Sequence, residues 1–83
     1  MYALEIKAKA LKQIETLAKK DAQKVFDSME VLKENPLAGK QLEGKYKGFR
    51  ALRVWPYRII YAVDHHIITV TVVKVGHRKD VYR

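Results

Sequence analysis

Residues 49–83 read FRALRV, WP, YRIIYAVD, HH, IITVTVV and KVGHRKDVYR. This alternation of apolar runs with short breaks constrains the fold more than any other part of the chain. Side chains along a strand point to alternate faces, so a pairing register sorts them into two sets. With Trp55-Pro56 as a two-residue turn, Val54 pairs with Tyr57, Arg53 with Arg58, Leu52 with Ile59 and Ala51 with Ile60. With His65-His66 as the next turn, Asp64 pairs with Ile67, Val63 with Ile68, Tyr61 with Val70 and Ile59 with Val72. One face then carries Leu52, Val54, Tyr57, Ile59, Tyr61, Val63, Ile68, Val70 and Val72, and is almost wholly apolar. The other carries Phe49, Ala51, Arg53, Arg58, Ile60, Ala62, Thr69, Thr71 and Val73, with two arginines directly opposite each other. A one-residue slip would push Arg58 into the core, at the cost of burying a charge.

The apolar face needs a cover, and the first part of the chain supplies one. Tyr2–Lys7 predicts a short strand at a sheet edge. Ala8–Lys20 is rich in helix formers, with Leu11, Ile14, Leu17 and Ala18 on one side. Asp21 reads as the N-cap of a second helix, Asp21–Asn35, whose stripe is Ala22, Val25, Phe26, Met29 and Leu32. Asn35-Pro36 ends it, because the residue before a proline leaves the helical region. Pro36–Gly48 holds three of the four glycines and reads as a loop, carrying Lys40, Lys45 and Lys47. The expected architecture is α+β: an N-terminal strand and a helical hairpin packed on a small, mostly antiparallel twisted sheet, one domain over residues 1–83.

Charge narrows the function. The net charge is +8. Residues 1–43 hold eight Lys/Arg against seven Asp/Glu, and residues 44–83 hold nine against two. A basic excess confined to one half points to a polyanionic partner, nucleic acid or an acidic protein segment. The chain has no cysteine, which excludes disulfides and thiolate metal sites and fits a reducing cytoplasm. No apolar run nears the roughly 18 residues of a membrane span, and the N-terminus lacks the apolar core of a signal peptide.

Two like charges at a cross-strand pair destabilise a sheet, and no acidic residue on that face offsets them. A phosphodiester fits two guanidinium forks. The last strand is expected to end at Val75-Gly76, with the glycine turning the chain so that Arg78 and Tyr82 fold back near the arginines. Lys45, Lys47 and His77 stand nearby. Such a set can bind RNA and also cut it. Attack by the 2′-hydroxyl needs a base for that hydroxyl, cations for the charge on phosphorus, and an acid for the leaving 5′-oxygen. No metal or other cofactor is required. The one candidate metal cluster, Asp64-His65-His66, reads as a solvated turn.

LRVWPYRIIYAVD followed by VVKVGHRKDVYR resembles the signature of the RelE/ParE superfamily of type II toxins, in its RelE-like branch. The order of strand, helical hairpin, P-L-x-x-x-x-L-x-G loop and sheet resembles it too, over essentially the whole chain. The resemblance implies a ribosome-dependent endoribonuclease (an mRNA interferase) that cleaves mRNA in the ribosomal A site and is held in check by an acidic, RelB-like antitoxin. It implies that Arg58 stabilises the scissile phosphate, that Arg78 stands near the leaving group, and that Tyr82 stacks on or orients the substrate nucleotide. Arg53 becomes a basic residue of the binding face. The family's paired lysines fall on Phe49 and Ala51 here, so Lys45, Lys47 or Arg50 substitutes for them. The general base is left open among Lys45, Lys47 and His77. Trp55, where the family carries glycine, is either a stacking plane for a base or a structural tryptophan. Two rival readings stand beside this one: a ParE-like toxin that binds DNA gyrase and cuts nothing, and a non-enzymatic basic module for RNA or an acidic partner.

Overall fold

The computed structural model describes residues 1–83 and is built around a long central strand, β4, at Tyr57–Asp64. Its neighbours are β3 (Arg50–Val54) on one side and β5 (Thr69–His77) on the other. A two-residue strand, β2 (Lys40–Gln41), extends the β3 edge, and β1 (Ala3–Ile6) closes the other edge. The sheet order is β1-β5-β4-β3-β2, antiparallel except for β1, which runs parallel to β5. Helices α1 (Ala8–Glu15) and α2 (Lys19–Glu34) cover one face. The expected α+β architecture is therefore observed. No helix is long and apolar enough to cross a membrane.

The β3–β4 register is the expected one, including Arg53 opposite Arg58 and Ala51 opposite Ile60. The helix-side core unites Val54, Ile59, Tyr61, Val70, Val72 and Val75 of the sheet with Ala10, Ile14, Val25, Met29 and Leu32 of the helices. Each large side chain buried there contributes roughly 1.5–3 kcal/mol.

The turn after β4 differs from expectation. It spans four residues, His65 to Ile68, and closes at Asp64 opposite Thr69. The Asp64 carboxylate builds it, accepting the backbone N–H groups of His66 at 2.9 Å and Ile67 at 3.2 Å. Those bonds, from Ile67 and then His66, hold its pKa below the usual aspartate value. The register thus moves by two residues, which preserves the faces, so Val70 and Val72 still enter the core. Ile68 does not: it sits in the turn at φ 50° and is half exposed. A bulge then puts one extra residue between the partners of Ile60 and Tyr61. Strict alternation would have driven Lys74 into the core. The bulge leaves Val73 and Lys74 on the arginine side and returns Val75 to the core.

Four further expectations are corrected. The first helix stops at Glu15, not Lys20, because the Thr16 hydroxyl and N–H and the Leu17 N–H turn back to the Gln13 and Ile14 carbonyls. The second starts at Lys19 with Ala18 as N-cap, and Asp21 lies in its first turn, where its carboxylate accepts the Tyr57 hydroxyl at 3.0 Å. That acceptor raises the Tyr57 pKa. Leu11 and Phe26, placed in the stripes, are partly exposed at 41% and 37%. Finally, Gly76 does not turn the chain. It is a strand residue opposite Arg58, and β5 runs on to His77.

The arginine side has its own small core of Ala51, Ile60 and Val81, with Leu42, Tyr46, Phe49 and Val73 packed on it. Val81 is 2% exposed, so residues after β5 do fold back over this face. The return is tied by Asp80 and Val81 N–H groups to the His77 carbonyl, at 2.8 and 3.0 Å.

Candidate nucleic-acid interface

Arg53 and Arg58 form the floor of a cavity of about 430 Å³. Lys40, Gln41 and Glu43 form one wall and Tyr82 another. Neither arginine makes an ion pair, since the three in the chain are Lys7–Glu5, Lys33–Glu30 and Arg83–Asp80. The Nη1 of Arg58 is buried and has no hydrogen-bond partner. Buried polar groups are nearly always paired, and a charged donor more so, because stripping its water is costly. One nitrogen of the guanidinium is thus already shielded from water, while Arg58 as a whole is part-buried and lines an open cavity beside a second arginine.

Lys40 reaches this cavity through β2. It is paired with Ala51, and directly paired residues share a face. The strand is only two residues long, so its placement depends on a clamp behind it. The Tyr61 hydroxyl donates to the Pro36 carbonyl at 2.7 Å and accepts the Gly39 N–H at 2.8 Å. Burial pushes the Tyr61 pKa up. A Cβ on Gly39 would sit 2.6 Å from that hydroxyl, so only glycine fits. Arg50 completes the clamp by donating to the Gly39 carbonyl at 2.8 Å. Arg50 lies on the face of Leu52 and Val54, with its guanidinium committed to the loop, and does not join Arg53 and Arg58.

Tyr82 is held by its neighbours. Val81 is buried, and the Tyr82 ring packs edge-on against Tyr46 at 5.8 Å. The Lys74 ammonium donates to the Tyr46 hydroxyl at 3.2 Å and to the Arg83 carbonyl, bridging the loop to the tail. Lys45 lies over the other ring partner, 5.4 Å from the Tyr46 centroid. Lys47 lines a neighbouring cavity of about 270 Å³ that shares Gln41, Leu42 and Glu43 with the first.

Two residues expected at the arginines lie elsewhere. Arg78 places its guanidinium 4.7 Å from the Trp55 ring centroid, at the β3–β4 turn, and does not line the cavity. His77 pairs with Tyr57 and meets its ring edge-on at 6.2 Å, on the helix side of the sheet. Its Nδ1 accepts the Lys79 N–H at 3.2 Å. The structure brings together Arg53, Arg58 and Tyr82, with Lys45 and Lys47 at the margin. Sequence reasoning missed Lys40, Glu43, Tyr46 and Lys74. Glu43 also corrects the expectation of a face without acid. A two-residue strand and a bulge leave no periodic signal, so nothing in the pattern marked these positions.

The fold and the cavity define a small α+β protein with a basic cavity on the sheet face opposite its helices. Residues 4–82 match the family described as the ParE toxin of the type II toxin-antitoxin system parDE. The chain belongs to that family, within the RelE/ParE superfamily. It is 38% identical over 53 residues to the toxin RelG of Mycobacterium tuberculosis, a stretch covering 63% of this chain and 61% of RelG. The match thus spans about three-fifths of that relative's length. Among solved structures, the RelBE2 toxin–antitoxin complex of M. tuberculosis superposes with a TM-score of 0.87 at 26% identity, over 93% of this chain and 98% of that one. The isolated E. coli RelE toxin superposes with a TM-score of 0.79 at 25% identity, over 99% and 92%.

Proposed function

We propose that the chain is a toxin that cleaves mRNA on the ribosome and is restrained by an acidic RelB-like antitoxin. The observation that carries this reading is Arg58 lining one cavity with Arg53, Lys40 and Tyr82, with one of its guanidinium nitrogens, Nη1, buried and unpartnered. A guanidinium partly shielded from water meets a developing phosphorane charge with little reorganisation. In the reaction, a ribose 2′-oxygen bonds to phosphorus and the bond from phosphorus to the 5′-oxygen breaks. The products are a 2′,3′-cyclic phosphate and a free 5′-hydroxyl. Arg58 and Arg53 hold the non-bridging oxygens. Glu43 is the one carboxylate among the lining groups, and it takes the 2′-hydroxyl proton. Lys40 and Tyr82 are the donors on hand for the leaving oxygen. His77, on the helix side, is outside this set. The same cavity suits a carboxylate-rich antitoxin segment, and the superposed RelBE2 structure is itself a toxin–antitoxin complex.

The test is to express the wild type, Arg58→Ala and Tyr82→Phe in cells and map mRNA ends. Growth arrest by the wild type with new, codon-positioned ends, lost in Arg58→Ala, is the expected result. Growth arrest without new ends sinks the nuclease reading. A gyrase-binding reading of the ParE kind is favoured by the family match and by Arg78 standing outside the cavity. It predicts arrest with inhibited supercoiling and intact mRNA.

A further inference from the structure

We propose that Trp55 and Arg78 form a stacking platform for a nucleobase, placed beside the arginine pair. The inference deepens the RNA-directed reading above and rests on it. Trp55 is 57% exposed at the tip of the β3–β4 turn, an unusual place for the chain's single tryptophan. One face of its indole is backed by the Arg78 guanidinium at 4.7 Å. Both ends of the arrangement are pinned through the backbone. The Arg78 N–H donates to the Pro56 carbonyl at 2.8 Å, and the Lys24 ammonium donates to the Trp55 carbonyl at 2.9 Å. The platform is therefore preorganised, which lowers the cost of ordering it on binding.

Its position fits a single RNA strand. Trp55 follows Arg53 by two residues, a distance of roughly 7 Å along a strand. A strand whose phosphate sits between Arg53 and Arg58 can thus lay an adjacent base on the indole, with the Arg78 cation beneath it. A flat π surface has no purpose in gripping carboxylates, whereas every nucleobase presents a π face to it. This separates an RNA from an acidic protein as the ligand. It also gives Arg78 work outside the cavity. Purines, with the larger rings, are the bases it favours.

The chain holds one tryptophan, so its fluorescence reports on Trp55 alone. The experiment titrates the full chain with single-stranded oligoadenylate, oligouridylate and an abasic phosphodiester oligomer of equal length, following emission and the anisotropy of labelled oligomers together. Oligoadenylate is expected to quench to saturation, oligouridylate to quench less, and the abasic oligomer to bind without quenching. Trp55→Leu is expected to weaken oligoadenylate binding about 5- to 100-fold, the loss of one base–aromatic stack, with Trp55→Phe recovering most of it. An unchanged urea midpoint confirms that Trp55→Leu is folded, as expected at an exposed turn. Saturating oligoadenylate without quenching, equal affinity in Trp55→Leu, or equal quenching by oligoglutamate each overturns the platform. Quenching with normal platform behaviour in a protein that cuts no ribosome-held mRNA defeats the nuclease reading alone. Intact mRNA cutting with no quenching defeats the platform alone.

Discussion

Replacing Arg58 with methionine is expected to make the protein more stable while removing its activity. The Arg58 Nη1 is buried and unpaired, and its strand partner is a second arginine. An unsatisfied buried donor costs about 1–3 kcal/mol, more when it is charged, and the like-charge pair adds a few tenths. Methionine keeps most of the aliphatic stem beside Ala51 in the cavity lining while dropping the charge. Allowing for some packing loss, Arg58→Met should gain about 1–2 kcal/mol, or roughly 4–16 °C in Tm for a domain of this size. Urea and thermal unfolding of both proteins, in a buffer free of phosphate, read this directly. A phosphodiester oligomer at ten times its Kd should raise the wild type by about 1.4 kcal/mol and leave Arg58→Met unmoved. If Arg58→Met instead loses more than about 1 kcal/mol, Arg58 is a structural residue and the argument from its shielded nitrogen fails.

Other outcomes follow from the same contacts. Tyr61→Phe strands the buried Pro36 carbonyl and Gly39 N–H, so it should cost about 2–3 kcal/mol in urea unfolding and loosen β2, seen as faster amide exchange at Lys40 and Gln41. Gly39→Ala should cost at least as much, because its Cβ collides with Tyr61. The Asp64 carboxylate has a depressed pKa in the folded state, so its contribution is full above the ordinary aspartate value of about 3.9 and is lost as pH falls through the lower folded value. Asp64→Ala should therefore be less stable at neutral pH and show a flatter stability profile below about pH 4. Lys74→Met removes the tie between Tyr46 and the tail, and should reduce cleavage with little change in the unfolding midpoint.

The sheet's central register was legible because its two faces differ so sharply. Only alignments of one parity put Leu52, Val54, Ile59 and Tyr61 together and keep Arg58 out of the core, and a two-residue turn at Trp55-Pro56 picks one of them. The four-residue turn was not legible, because it is specified by a side chain, Asp64, capturing amides that pattern counting ignores. The bulge at Val73–Lys74 was hidden for a related reason: the apolar run TVTVVKV alternates well enough to suggest a regular strand through Val75. The first helix ended early because Thr16 offers its hydroxyl to the backbone, a local competition that a stripe of Leu11, Ile14 and Leu17 does not reveal. The arginine pair and Tyr82 were found from alternation and from the tail's proximity. Lys40 and Glu43 were not, since they enter the cavity from a loop whose course depends on the Tyr61 clamp.

The most direct measurement uses ribosomes programmed with a 5′-labelled mRNA holding a defined codon in the A site. With wild-type protein, the mRNA should be cut within that codon to leave a 2′,3′-cyclic phosphate. With folded Arg58→Met, the rate should fall by about 10²–10³-fold, as for loss of one preorganised donor to a developing oxyanion. Equal cutting by the two proteins, or none by the wild type, contradicts the account.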